Sequence, residues 1–249
     1  MRALVLLDLD DTLFQTRRKC PPDVPADALR ALGFGRDGAP LGFATPRQRT
    51  FLSWLGEAAL IVPVTGRGRD ALGRVRLDFR AAICAHGGVL LNEDGEPDSD
   101  WARQIAREAA PHRAGIAALM QAAGEIAERE RVPLRARVLA ERGTELYVLL
   151  KHPDGDAAAL DKVVDRIAPL VPSGWTLHRN GNNAALLPPF LGKALAVQAL
   201  LPRLRERYPD APVIGVGDSL SDAPFMALCD YAMMPAGSQL SAATIELLA

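Results

Sequence analysis

Apolar residues in this chain recur as short unbroken runs. Ala3 to Leu7, Ala58 to Val64, Ala81 to Cys84 and Pro212 to Val216 each have the length and composition of a strand buried on both faces, as in a parallel sheet. Helical stretches alternate with them: Pro46 to Gly56, with Pro46 suited to a first turn, Arg69 to Leu77, and Leu191 to Tyr208, where Pro202 is a weak point. Tyr231 to Met234 reads as a last strand. This rhythm predicts an α/β architecture. The connection from Arg17 to Pro46 is long; Asp27 to Leu32 suits one or two helical turns, and Gly33, Gly35, Gly38 and Gly42 suit a small flap or hairpin.

From about Asn92 the texture changes. A helical region from Trp101 to Arg131, broken near Pro111, leads to strands Leu134 to Ala140 and Glu145 to Leu150 around the turn Glu141-Arg142-Gly143. An amphipathic helix, Asp156 to Leu170, precedes strands Trp175 to His178 and Ala184 to Leu187, which flank Asn180-Gly181-Asn182-Asn183. The α-β-β-α-β-β order implies a small antiparallel sheet with helices on one face, a second domain inserted into the first. The expected boundaries are 1–90 and 186–249 for the core and 91–185 for the insertion.

Composition narrows the partners. With 249 residues, 49% hydrophobic and 24% charged, the chain can bury a full core and is near the size at which one domain becomes two. A net charge of −1 with acids and bases interspersed gives no nucleic-acid footprint. Neither nucleic acid nor a membrane is expected as a partner, and no feature bears on oligomeric state. The first apolar run meets Asp8 after five residues, too short for a signal-peptide core or a membrane span, so a cytoplasmic location is expected. Cys20, Cys84 and Cys229 are odd in number and lack Cys-x-x-Cys spacing, which speaks against a disulfide framework or a zinc site.

The chemistry concentrates at strand ends. Asp8 lies at the carboxyl end of the first strand, where open α/β sheets bind ligands. If the chain stays extended, period-two alternation puts Asp8, Asp10 and Thr12 on one side. Two converging carboxylates repel unless they share a proton or a cation, so the site invites a hard divalent ion such as Mg²⁺. An isolated Asp-Leu-Asp would more often cap a helix. Thr65 alone could simply end a strand, Lys193 is one of many lysines, and Asp218 could be a turn residue. What singles out Asp8/Asp10, Thr65, Lys193 and Asp218/Asp222 is their joint occurrence at the edge where a parallel sheet would gather them.

That order resembles the haloacid dehalogenase-superfamily phosphatases. Asp8-Leu9-Asp10-Asp11-Thr12 is similar to their Asp-x-Asp-x-Thr, Thr65-Gly66-Arg67 to their second motif, Lys193 to their lysine, and Gly217-Asp218-Ser219-Leu220-Ser221-Asp222 to their Gly-Asp-x-x-x-Asp. The resemblance implies a Rossmann-like parallel-sheet core with an inserted α+β cap domain of the C2B type, a subgroup that includes sugar-phosphate, sucrose-phosphate and mannosyl-phosphoglycerate phosphatases. It implies a Mg²⁺-dependent phosphomonoester hydrolase working through an aspartyl-phosphate on a small phosphorylated metabolite, a sugar phosphate or phosphoglycerate derivative. Asp8 would be the nucleophile and Asp10 the acid/base. Thr65 and Lys193 would contact phosphate oxygens, Asp8, Asp10, Asp218 and Asp222 would serve the metal, and Thr12, Gly66 and Arg67 would line the phosphate site.

Two departures stand out: Ser221 where an Asn is common, and His86-Gly87-Gly88 where Asn-Gly often follows the third strand. His86 reads as a structural or hinge residue, since the mechanism already has its acid and base. In the insertion, Asn180, Asn182 and Asn183 suit sugar hydroxyls or simply make a turn. Arg135, Arg137, Lys151 and His178 would meet a second anionic group or decorate a solvated face. Two other readings stay open: a catalytically idle relative that binds a phosphorylated metabolite, and a phosphotransferase or mutase.

Overall fold

The apolar run Ala3–Leu7 forms β1 of the computed structural model, which describes residues 2–248. The chain continues through a hairpin of β2 (Arg30–Phe34) and β3 (Pro40–Ala44), helix α1 (Pro46–Ala58), β4 (Ala59–Pro63), the single turn α2 (Arg69–Leu72) and a hairpin of β5 (Ala82–Cys84) and β6 (Val89–Leu91). Next come α3 (Ser99–Ala109), α4 (Arg113–Glu130), β7 (Arg135–Glu141), β8 (Thr144–Lys151), α5 (Ala157–Ile167), β9 (Thr176–Asn180) and β10 (Asn183–Leu187). Then follow α6 (Lys193–Arg207), β11 (Val213–Val216), α7 (Ala223–Met226), β12 (Tyr231–Met233) and α8 (Gln239–Leu248). The fold is mixed α/β and divides into two units, residues 1–98 with 192–249, and residues 99–191.

The first unit carries a parallel sheet in the order β12-β11-β1-β4. β1 is interior, and Leu4 to Leu7 are all buried, which is why its sequence shows no polar alternation. Leu7 pairs with Val216 on one side and Pro63 on the other. One residue further on, the Asp8 amide donates to the Val216 carbonyl at 2.9 Å and the Val64 amide to the Leu7 carbonyl at 2.8 Å. The polar residues that follow β1, β4 and β11 therefore start level with one another at the carboxyl edge. α1 begins with a capping box between Thr45 and Gln48, with Pro46 just inside it.

Several expectations need correction. The chain does not stay extended past Leu7: Asp11 adopts φ 68° and the Leu13 amide bonds back to the Leu9 carbonyl at 2.9 Å. Asp8 and Thr12 are thus brought together by a turn, and alternation plays no part. The stretch Asp27 to Leu32 contains no helix; Arg30 onward is a strand, paired with β3. Its glycines explain why, because Gly33 and Gly42 lie on the Phe14 ring and a Cβ at Gly42 would fall 2.6 Å from it. The helix expected to Leu77 stops at Leu72, before Gly73, and residues 74–76 bond to β2 through Phe34 N to Arg74 O (3.0 Å) and Arg76 N to Leu32 O (2.7 Å). β6 and α8 carry no expectation from sequence.

In the second unit the sheet is antiparallel, in the order β7-β8-β10-β9. α4 and α5 cover one face: Ile116, Leu119, Val163 and Ile167 pack on Val148, Leu150, Ala184 and Leu186. Pro111 sits in a 3₁₀ turn, Ala110–His112, that separates α3 from α4. Arg142 and Gly143 make the β7–β8 turn with φ 48° and 82°, the left-handed pair that a two-residue hairpin requires. Asp156 caps α5 by accepting from the Ala159 amide at 3.0 Å.

Candidate active site

Lys193 is the first residue of α6, the positive end of the helix dipole, where a cation is out of place. Two buried carboxylates offset this. Its Nζ donates to Asp8 Oδ1 at 2.6 Å and to Asp222 Oδ1 at 2.7 Å, and the three side chains are 9%, 7% and 0% exposed. Thr12 Oγ1 lies 3.1 Å from both Asp8 Oδ2 and Asp218 Oδ1, so its single proton serves one acceptor at a time. One carboxylate oxygen from each of Asp8, Asp218 and Asp222 falls within 4.8 Å of the others.

The loop after β11 is organised by Asp222. Its Oδ2 accepts from the amides of Asp218 (3.2 Å) and Ser219 (3.0 Å) and from Ser219 Oγ (2.8 Å). Gly217 makes room for it, since a Cβ there would lie 2.5 Å from the Asp222 Cβ. Ser221 meets the Ser219 hydroxyl at 2.7 Å.

Thr65 is buried directly after the β4 edge. Its oxygen accepts from the Arg67 amide at 3.1 Å, which leaves the hydroxyl proton available to a ligand. Arg67 turns to Asp10, with Nε to Oδ2 and Nη2 to Oδ1 both at 2.7 Å, and its guanidinium stands 5.1 Å from the centroid of Phe14. Asp10 is therefore forked by an arginine and lies outside the Asp8, Asp218, Asp222 cluster. Sequence reasoning placed Arg67 against a ligand and missed this clamp; no signal beyond its place after Thr65-Gly66 pointed to it. The His86 ring covers Gly66, and Ala85, His86 and Gly87 are all left-handed (φ 52°, 54° and 97°). Gly87 sits so close to the Gly192 carbonyl that a Cβ would lie 2.4 Å from it, so this strained loop braces the start of α6.

Asn180, Asn182 and Asn183 belong to the second unit, at the β9–β10 turn. Asn182 Nδ2 donates to the His152 carbonyl at 3.2 Å and Asn183 Nδ2 to Asn182 Oδ1 at 3.4 Å.

No protein-family model matches the chain, and no curated protein does. Solved structures do. The C-terminal domain of a C. albicans trehalose-6-phosphate phosphatase matches at 15% identity and a TM-score of 0.50, over 90% of this chain and 72% of that one. A Eubacterium rectale protein matches at 12% and 0.51, over 98% and 91%. A phosphatase of the haloalkanoate superfamily from Bacteroides thetaiotaomicron matches at 14% and 0.48, over 99% and 95%. The chain shares the fold of the trehalose-6-phosphate phosphatase domain and of the Eubacterium rectale protein. At these identities the likeness is one of fold, and the chemistry has to be argued from the side chains.

Within that fold the electrostatics are lopsided. Burial pushes the Asp8 carboxyl up to about 8, with Lys193 pulling against it and the charges of Asp222 and Asp10 adding to it. Burial and the Asp222 charge push Asp218 up to about 6. Burial works to lower the Lys193 ammonium, but Asp8 and Asp222 outweigh it and hold it above the ordinary lysine range. Arg67 is likewise held above its ordinary range, the fork on Asp10 outweighing burial. Three acids with one ammonium leave carboxylate oxygens that repel one another. This all-oxygen donor set fits a hard divalent cation.

Proposed function

We propose that the protein is a Mg²⁺-dependent phosphomonoester hydrolase that acts through an aspartyl-phosphate on a small phosphorylated metabolite, a sugar phosphate or phosphoglycerate derivative. The observation that carries this reading is the Lys193 ammonium seated between Asp8 and Asp222, with Thr12 joining Asp8 to Asp218. Asp8, Asp218 and Asp222, with the backbone carbonyl of Asp10, would hold Mg²⁺, which when bound offsets the repulsion between an attacking carboxylate and a phosphate dianion.

Asp8 attacks phosphorus, a P–O bond forms to its carboxylate, and the bond to the leaving oxygen breaks. Asp10 gives its proton to that oxygen, then takes one from the water that attacks the aspartyl-phosphate and releases inorganic phosphate. Lys193 and Thr65 steady charge on the nonbridging oxygens. Thr12, Gly66 and Arg67 line the phosphate site. No helix among the described residues is long and apolar enough to cross a membrane. Cys20, Cys84 and Cys229 are not joined in disulfides, and we assign the protein to the cytoplasm.

Release of phosphate from p-nitrophenyl phosphate tests the reading. The rate should fall about 10²-fold or more in EDTA and return with added Mg²⁺. No release, or release indifferent to EDTA, would overturn it. The Arg67 fork supplies a second test. The fork fixes the orientation of the Asp10 carboxyl, and a lysine cannot reproduce a two-point fork. Arg67→Lys should therefore lower kcat/KM about tenfold with little change in melting temperature, and wild-type kinetics in that variant would remove the fork from the mechanism.

A further inference from the structure

α1 opens with a residue that its own helix would not choose. The first turn carries the cations Arg47 and Arg49 and no acid, at the end of a helix where negative charge is favoured. Position 48 is the third helical residue, the place where a capping box takes Glu or Gln, so the helix by itself would gain from Glu there. The chain has Gln48.

The reason lies on the far side of the amide. Gln48 Oε1 accepts from the Thr45 amide at 2.9 Å, and Thr45 Oγ1 accepts from the Gln48 amide at 3.3 Å. Gln48 Nε2 donates to Gln15 Oε1 at 2.8 Å and to the Thr12 carbonyl at 3.4 Å. A side chain set between a backbone N–H and a backbone C=O has to accept and donate at once, which an amide does and a carboxylate does not. The Thr12 carbonyl has no other protein donor among the described residues. Gln15 is also tied elsewhere: its backbone exchanges hydrogen bonds of 3.1 and 2.8 Å with Phe43, and its Nε2 meets Cys20 Sγ at 3.3 Å. Thr12, Gln15 and Thr45 are all buried, so a polar group left unpaired here has little recourse to water.

The segment held in this way carries the catalytic groups. It runs from Asp8 to Gln15 through the left-handed Asp11 and closes on itself through the Leu13 amide and the Leu9 carbonyl at 2.9 Å. Gln48 grips its far end at residues 12 and 15, and the Thr12 hydroxyl stands 3.1 Å from both Asp8 Oδ2 and Asp218 Oδ1. We propose that Gln48 is a positioning residue for the phosphoryl transfer: it fixes the turn from Asp8 to Gln15 against α1 and, through Thr12, sets the carboxylates of Asp8 and Asp218 relative to each other. A displacement of about 1 Å in a reacting group costs on the order of 10²-fold in rate, so even a small loosening at Thr12 registers in kcat. This role rests on the phosphatase reading and gives α1 a part in it.

Two substitutions separate holding the turn from capping the helix. Gln48→Glu keeps the acceptor for Thr45, and with it the capping box, but loses both donors; Gln15 can turn its amide to meet the carboxylate, whereas the Thr12 carbonyl is left without a partner. Thr45→Val removes the cap hydroxyl and leaves both Gln48 donors in place. With p-nitrophenyl phosphate and saturating Mg²⁺, Gln48→Glu should lower kcat about tenfold, with KM and melting temperature close to those of the wild type. Thr45→Val should melt about 2–4 °C lower and keep the wild-type kcat. A wild-type kcat in Gln48→Glu, or a kcat that follows melting temperature in both variants, overturns the role. If the wild type itself releases no phosphate, the phosphatase reading fails on its own, and amide hydrogen exchange in the metal-free proteins decides. A Leu13 amide that exchanges about threefold faster or more in Gln48→Glu supports the hold on the turn, and equal rates overturn it.

Discussion

Asp8→Asn is expected to reduce Mg²⁺-dependent phosphate release by about 10⁴-fold or more and, at the same time, to make the metal-free protein more stable. The loss of rate follows from losing the nucleophile. The gain in stability follows from burial. Asp8 titrates near 4 in an unfolded chain and is pushed up to about 8 in the folded one, so folding disfavours its charge. For a group raised in this way, its contribution is fully present below about pH 4 and is lost as pH rises through about 8. In EDTA the melting temperatures of wild type and Asp8→Asn should coincide near pH 4 and separate as pH rises. By pH 8 the variant should melt about 5 °C higher. Mg²⁺ should shrink the gap by stabilising the wild type. A variant that melts lower than wild type at pH 8 in EDTA would contradict the assignment of Asp8 as a carboxylate that pays for function with stability.

Lys193→Met should have the opposite sign. The substitution keeps the length of the side chain but leaves Asp8 and the fully buried Asp222 facing each other without their ammonium. Removing one partner from a buried ionic group costs about 3 kcal/mol or more, and in a chain of this size that is a melting temperature lower by roughly 6–12 °C at pH 8. The deficit should narrow as pH falls toward 4 and the carboxylates take up protons. Rates should drop about 10²- to 10³-fold, because charge on the phosphoryl oxygens loses its buried cation. Calorimetric melting from pH 4 to pH 8, with and without Mg²⁺, separates these effects. A pH-independent deficit would mean that the lost side chain mattered for packing and not for charge.

The strand ends were the legible part of the site. β1 could be read because burial on both faces leaves an unbroken apolar run, and Lys193 and Asp218, ordinary when taken singly, stand out only through their joint occurrence with Asp8 and Thr65 at the edge of a parallel sheet. What followed Leu7 could not be read, since Asp11 in a left-handed conformation breaks the alternation and sends Asp10 to Arg67. The hairpin of β2 and β3 was obscured for a different reason. Asp27 to Leu32 carries good helix formers, and it is the packing of Gly33 and Gly42 on Phe14, remote in sequence, that overrides them. α8 escaped because Ile245 and Leu247 are exposed and lend it no apolar stripe.

The Lys193 clamp joins groups 185 positions apart in the chain. During synthesis, the strand that bears Asp8 emerges early and must wait through the whole intervening unit before its counter-ion exists, and longer still for Asp222. A nascent or truncated chain that lacks α6 and β11 holds a carboxylate with no reason to enter the interior. The cluster of Asp8, Lys193 and Asp222 is therefore complete only once β11 and the loop after it have been made.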